Sequence, residues 1–133
     1  MLVKQVSVFL ENQAGRLAEV ASVLADNQIN IGALSMADTT DFGILRFIVD
    51  APDDTIKVLK ENGFTASTTN VIAVTVSDRP GGLAQVLKVL DEAKIGVEYA
   101  YAFVEKGQGE AKIILRVEDN EKAMAVLREH NLA

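Results

Sequence analysis

Two similar stretches decide the fold: Asn12-Gln13-Ala14-Gly15-Arg16-Leu17-Ala18, the first turn, and Asp78-Arg79-Pro80-Gly81-Gly82-Leu83-Ala84, the second turn. Each follows an alternating apolar run that is typical of a β-strand and precedes apolar residues spaced as on one helix face. Each is therefore predicted to be a tight turn between a strand and a helix. Such a junction can offer unpaired backbone N–H groups and the positive end of the helix dipole to a carboxylate. The sequence thus predicts a ligand-binding turn that occurs twice.

The two turns belong to a repeat that spans the whole chain. A shift of 66 positions superposes Gly15 on Gly81, and later in the copies a shift of 68 superposes Val49 on Val117. The two extra residues fall within 105–109, a predicted hairpin tip where an insertion costs little. We therefore predict two tandem modules.

The predicted modules span residues 1–67 and 68–133, and each has the element order β-α-β-β-α-β. The predicted strands are 3–10, 30–36, 42–50 and 64–68 in the first module and 70–77, 96–104 and 110–118 in the second. This order predicts an α+β fold: two tandem ferredoxin-like βαββαβ modules with antiparallel sheets and helices on one face. The last strand of the second module is expected to be short or missing, which would leave an exposed sheet edge.

The sheet face opposite the helices is predicted to be partly apolar in the first module. Phe9, Ile44 and Ile48 alternate with the predicted core residues of their strands. This pattern favours contact with the other module or with a second subunit, so we expect a homo-oligomer, a dimer in the simplest case. Scattered surface apolar residues are the alternative explanation.

Composition excludes several classes of function. The 133 residues include 13 Lys and Arg against 19 Asp and Glu, a formal net charge of −6, which disfavours nucleic acid as a partner. The chain has no Cys, which excludes disulfides, thiolate metal sites and a Cys nucleophile. Neither a signal sequence nor an apolar run of membrane-spanning length is visible, so we expect a cytoplasmic protein without a membrane partner.

Catalytic and metal-binding constellations are not evident. His130 is the only histidine and lies far in sequence from any candidate serine nucleophile. Asp38, Asp41, Asp53 and Asp54 lack the spacing of a calcium loop and are expected to cap a hairpin and a helix. We therefore predict no catalytic residues, no metal and no cofactor.

The two turns and the apolar residues after them resemble the signature of the ACT domain, an amino-acid-binding regulatory module. After the second turn these residues are Leu87, Leu90 and Ile95-Gly96-Val97; after the first they are Val20, Leu24 and Ile29-Asn30-Ile31. The resemblance implies a small effector, usually an amino acid, bound where the turn of one module meets the second strand of a paired module.

The resemblance also implies which positions contact the effector. They are Asn12, Gln13, Ala14, Gly15, Arg16 and Leu17 in the first turn, Asp78, Arg79, Pro80, Gly81, Gly82 and Leu83 in the second, and Asn30, Ile31, Gly96 and Val97 at the starts of the second strands. An ionised Asp78 can only accept hydrogen bonds, whereas Asn12 can donate or accept. Ala14 stands where the pattern usually has Pro, and Gly96 where it has Asn, so we expect two unequal sites.

Together these features predict a non-catalytic regulatory protein that binds an amino acid between paired modules and signals through module packing or through contact with a partner, for example a regulated enzyme. Two alternatives stay open. The glycines could serve only to make tight turns. The chain could instead be an interaction module that dimerises or docks on a metabolic enzyme without a ligand.

Overall fold

Four helices and six strands repeat one order twice in the computed structural model, which describes residues 1–11, 13–38, 41–104 and 108–132. The elements are β1 (Leu2–Glu11), α1 (Arg16–Asp26), β2 (Ile31–Asp38), β3 (Phe42–Val49), α2 (Pro52–Glu61), β4 (Thr65–Ser77), α3 (Gly82–Glu92), β5 (Val97–Ala102), β6 (Glu110–Val117) and α4 (Asn120–Glu129). The predicted α+β class and the tandem βαββαβ architecture are confirmed.

The chain forms two compact units. Residues Lys4–Thr69 make up one, called here the N-terminal unit; Met1–Val3 and Asn70–Ala133 make up the other, called here the C-terminal unit. The first five residues of β4 lie in the N-terminal unit and the rest in the C-terminal unit. The assignment of the two modules to residues 1–67 and 68–133 stays a prediction.

The N-terminal unit has the strand order β2-β3-β1, with the start of β4 beside β1. Both neighbours of β3 pair with it in antiparallel fashion. Val8 and Leu45 lie opposite each other in this ladder and face the buried stripe of α1, which includes Val20 and Leu24. Leu59 of α2 joins the same core. Both helices therefore cover one face of the sheet, as the alternation along β1 predicts.

The C-terminal unit repeats this arrangement with the order β4-β6-β5. Val86, Leu90 and Leu127 of its helices pack against Ile72 and the other inward-facing strand residues in a second core. The core of each unit thus follows from the same apolar pattern, which is written twice in the sequence.

The predicted open edge of the second module is wrong at Ala73, where Met1 pairs with it. The Met1 ammonium donates to the carbonyl oxygen of Ala73 at 3.1 Å, and the Ala73 N–H donates to the carbonyl oxygen of Met1 at 2.8 Å. The start of the chain thus lies where the missing strand was expected and satisfies the N–H and carbonyl groups of Ala73. Burial, with a smaller effect of the positive charge on Arg128, lowers the pKa of the Met1 ammonium.

The prediction of separate strands at 64–68 and 70–77 is also wrong, because β4 runs without a break over Thr65–Ser77. The segment Ser67-Thr68-Thr69-Asn70 contains neither Gly nor Pro, and its two β-branched threonines favour extended backbone. Nothing in this segment therefore requires a turn.

The outer face of the N-terminal unit is apolar in part. Ile48 is 8% exposed, whereas Phe9 is 52% exposed. Ile44 is partly buried. The predicted contact of this face with a second module or subunit stays a prediction.

Candidate functional site

The first turn has a left-handed backbone at Gly15, where φ is +90°. Glu19 N–H donates to the Gly15 carbonyl at 3.0 Å and closes the first turn of α1, and Gln13 N–H donates to the Glu11 carbonyl at 2.8 Å. Among the described residues no side chain caps this helix start. Asn12, the first predicted contact, lies outside the described residues.

The second turn repeats this backbone almost unchanged. Gly81 has a φ of +92°, and Gln85 N–H donates to its carbonyl at 3.0 Å. Arg79 N–H donates to the Ser77 carbonyl at 2.9 Å, the counterpart of the bond between Gln13 and Glu11. Glycine is favoured at both caps because residues with a Cβ avoid this backbone region.

The two turns differ at the residue after the cap. The first turn has Arg16 there, and the second has Gly82. A Cβ on Gly82 would overlap the carbonyl oxygen of Ser77, so this position accepts no side chain without a backbone shift. The sequence predicted unequal sites from Ala14 and Gly96, whereas the structure reveals this further difference.

Arg16 is held in place from two sides. Its Cζ lies 4.8 Å from the centre of the Phe64 ring, and its Nη1 donates to Oε2 of Glu19 at 2.7 Å. Its Nε is buried and has no hydrogen-bond partner among the described residues. The Arg16 side chain as a whole is 26% exposed. The guanidinium is therefore fixed in orientation, while the described part of the chain offers no acceptor to its Nε.

Within one unit the predicted contacts do not converge. The register places the end of β1 opposite Phe42, at the start of β3, and places Ile31 opposite Val49, at its end. The first turn and Asn30-Ile31 therefore lie at opposite ends of the sheet, about 20 Å apart along β3. In the C-terminal unit the register separates Ser77, next to the second turn, from Val97 in the same way.

Most predicted contacts are on the surface. Gln13, Ala14, Leu17, Asn30, Asp78, Arg79, Pro80, Leu83 and Gly96 are exposed, and Gly82 is buried. Ile31 and Val97 pack against the cores of their units. These two residues therefore offer a ligand mainly their backbone groups.

Three cavities lie next to predicted contacts. One of about 450 Å³ in the C-terminal unit is bordered by Gly96, Val97 and the charged Lys94 and Lys122. The N-terminal unit has one of about 410 Å³ beside Gly15 and one of about 140 Å³ beside Arg16.

The smallest cavity adds residues that the sequence analysis did not assign to the site. Phe9, Glu11, Phe42 and Phe64 line it together with Arg16. A comparison of the two copies of the repeat would have singled out the three phenylalanines, because none of them has an aromatic counterpart in the second copy.

The described part of the chain offers no group of three or more His, Cys, Asp and Glu side chains arranged to hold a metal ion. His130 lies at the end of α4, where its Nδ1 is 3.0 Å from the Val126 carbonyl oxygen. None of the helices within the described ranges combines the length and the apolar character needed to cross a membrane.

Comparison with known proteins decides the family. A family model described as the ACT domain pair matches residues 1–133. The chain belongs to the ACT domain pair family. This ACT domain pair superposes on the crystal structure of protein BT0572 from Bacteroides thetaiotaomicron with a TM-score of 0.92 and 41% identity, over 99% of this chain and 90% of the other.

Two more distant structures share the fold of this ACT domain pair. The regulatory subunit of aspartate kinase from Thermus thermophilus, in ligand-free form, matches with a TM-score of 0.69 and 16% identity over 97% of this chain and 96% of the other. The corresponding subunit from Thermus flavus matches with a TM-score of 0.66 and 16% identity over 96% and 92%. A search of curated proteins gives no significant match.

Proposed function

We propose that this ACT domain pair is a non-catalytic regulatory protein of the cytoplasm that binds an amino acid and acts on a separate enzyme. The proposal rests on the repeated turn, in which Gly15 and Gly81 adopt the same left-handed conformation before α1 and α3. The name of the structurally similar aspartate kinase subunits describes those proteins as regulatory.

The proposed ligand contacts use the turn of one module and the second-strand start of another. Because these two features lie at opposite ends of the sheet within each unit, one unit alone cannot supply both. Paired modules, within the chain or in a homodimer, would supply them. The N–H groups at a helix start suit the carboxylate of the amino acid, and Asp78 suits its ammonium group.

A thermal-shift screen against the twenty amino acids at millimolar concentration tests this proposal. An amino acid present at 100 times its Kd adds about 2.7 kcal/mol to the free energy of unfolding. We expect a selective rise in melting temperature of several degrees.

Variants of the two turns test whether the amino acid binds there. We expect the double change Asn12→Ala and Asp78→Ala to abolish the shift, and we expect Asp91→Ala, which removes an exposed carboxylate from α3, to leave it unchanged. A flat screen with folded protein would contradict amino-acid binding. A shift that the double variant retains would contradict the assigned turns.

An interaction module without a ligand is the second candidate, and the outer strand of the N-terminal unit favours it. Leu34 and Met36 lie on β2, an edge strand of this unit, and are 44% and 42% exposed. Exposed apolar side chains on a strand edge are suited to a partner. Light scattering would show a stable dimer that Leu34→Lys weakens, in the absence of any amino acid.

A further inference from the structure

The end of α2 leads into the only Asn-Gly pair of the chain, Asn62-Gly63. Both residues are exposed, and the glycine has a left-handed backbone with a φ of +83°. Because glycine has no Cβ, nothing shields its nitrogen from the side-chain amide of the preceding asparagine. We propose that Asn62-Gly63 is a latent modification site, which deamidates only when the last turn of α2 opens.

The reaction takes place within the chain. The Gly63 nitrogen gives up its proton and bonds to Cγ of Asn62, while the bond between Cγ and Nδ2 breaks and Nδ2 leaves with that proton as ammonia. Water then opens the cyclic succinimide at either of its carbonyl groups, which yields aspartate or isoaspartate. Water is the only co-reactant, and the product carries an additional negative charge at neutral pH.

In the folded chain hydrogen bonds occupy both reacting groups. The Gly63 N–H donates to the Lys60 carbonyl at 3.1 Å, and Nδ2 of Asn62 donates to the Val58 carbonyl at 2.8 Å. The first bond holds the proton that the nitrogen must lose, and the second holds the side-chain amide against the helix. Both bonds must break before the succinimide can form.

The backbone of Asn62 also opposes ring closure. The succinimide ring requires the Gly63 nitrogen to lie nearly eclipsed with the Asn62 Cβ about the Cα–C bond. The ψ of 14° at Asn62 instead places this nitrogen almost in line with the nitrogen of Asn62 itself. Phe64 follows directly and is anchored in the core of the N-terminal unit, with 6% of its surface exposed. Ring closure therefore requires the turn to open, since a side-chain rotation alone does not suffice.

The end of α1 provides a control within the chain. Asn27 has a φ of −103° and a ψ of 11°, close to the −97° and 14° of Asn62, and its Nδ2 donates to the Val23 carbonyl at 2.8 Å. The next residue is Gln28, which is left-handed like Gly63, with a φ of +58°. The side chain of Gln28 shields its nitrogen, so the two helix ends share their geometry and differ in reactivity.

The product weakens the turn from which it forms. A carboxylate in place of the Asn62 amide cannot donate to the Val58 carbonyl, and it lies at the negative end of the α2 dipole. Asn62 also lines the cavity of about 410 Å³ beside Gly15, where Glu19 and Asp26 already place two carboxylates. Asn62→Asp, which reproduces the aspartate product, should therefore melt at a lower temperature than the unchanged chain.

Incubation of the full chain at mildly alkaline pH, followed by peptide mapping with mass spectrometry, tests the proposal. We expect deamidation at Asn62 to be at least about 10-fold slower in the folded chain than in the same chain unfolded in concentrated urea, because it proceeds only through opened molecules. A smaller difference would overturn the proposal. In urea Asn27 should react much more slowly than Asn62, and similar rates at the two residues would contradict the role of Gly63.

Two glycine substitutions test whether the last turn of α2 controls the reaction. Lys60→Gly weakens this turn at an exposed position and should raise the rate at Asn62 in the folded chain about fivefold, because glycine is a poor helix former. Arg128→Gly is the matched control at the repeat-equivalent position of α4, in the C-terminal unit, and should leave the rate unchanged. Equal rates in the two variants would overturn control by the end of α2.

Gly63→Gln tests the reactive pair even if Lys60→Gly fails to fold. It copies the pair Asn27-Gln28, and a Cβ at position 63 meets no atom of the described residues within 4 Å. We expect deamidation at Asn62 to fall to the rate at Asn27, in the folded chain and in urea alike. Deamidation of this variant in urea at the rate of the unchanged chain would overturn the assignment of the site.

Discussion

The first and second turns share a backbone but differ in what they can hold. Their cap glycines differ by only 2° in φ, at +90° and +92°. The next residue is Arg16 in one turn, stacked on Phe64, and Gly82 in the other, buried against the Ser77 carbonyl. The glycine at the cap thus sets the path of the chain, whereas the following position determines whether the turn can carry a ligand-binding side chain.

Gly82→Ala should have the largest effect on this comparison. Its Cβ would overlap a backbone oxygen, which cannot rotate away as a side chain can, so we expect a loss of about 3 kcal/mol or more in the free energy of unfolding. Urea denaturation followed by circular dichroism measures it. Gly96→Ala is the control, because a Cβ there meets no atom within 4 Å. Equal costs for the two variants would contradict the close approach at Gly82.

Replacement of the cap glycines tests whether the two backbones are equivalent. Gly15→Ala and Gly81→Ala should each cost about 1 to 2 kcal/mol, because both force a Cβ into the left-handed region. Neither new Cβ meets an atom within 4 Å, so the backbone conformation alone should determine the cost. Denaturation curves that differ by more than about 1 kcal/mol between the variants would show that the turns are not equivalent.

The second helix of each copy extends the comparison. Asp119 caps α4 by accepting from the N–H of Lys122 at 3.1 Å, whereas Ala51 at the equivalent position of α2 has no capping side chain. We expect Asp119→Ala to cost about 1 kcal/mol and Ala51→Asp to add a similar amount. Thermal denaturation of both variants checks this. An unchanged stability of Ala51→Asp would show that the start of α2 cannot use a cap.

The smallest expected effect concerns the ion pair of Arg16. Glu19→Gln removes the negative charge that pairs with the Arg16 guanidinium and should cost about 0.3 to 0.5 kcal/mol, less at high salt. Gln85→Glu places a carboxylate at the equivalent position of α3, next to Gly82, and measures the helix-dipole contribution alone. Equal and opposite changes in the denaturation midpoint would mean that Arg16 contributes nothing to the pair.

The sequence contains the local part of this structure. The alternation along β1, the glycine caps and the helical stripes are all short-range patterns, and each turn was found from them. The continuous β4 was missed because one copy of the repeat ends and the next begins within it. Its two parts were therefore predicted as separate strands, although no turn signal lies between them.

The features of the fold and of the site that the sequence did not predict depend on contacts between residues far apart in the chain. Met1 pairs with Ala73, and Arg16 stacks on Phe64. Neither pairing leaves a periodic signal, because it depends on how the sheet is completed and on where the turn after α2 lies. The residue types were visible in the sequence, but their proximity was not.

An NMR titration of the ¹⁵N-labelled chain, with the amino acid that raises the melting temperature most, tests the central claim most directly, namely that the repeated turns bind an amino acid. We expect saturable shifts of the backbone amides at one or both turns, which means at Gly15 and Arg16 or at Gly81 and Gly82. Shifts confined to residues distant from both turns, or none at any concentration, would contradict it.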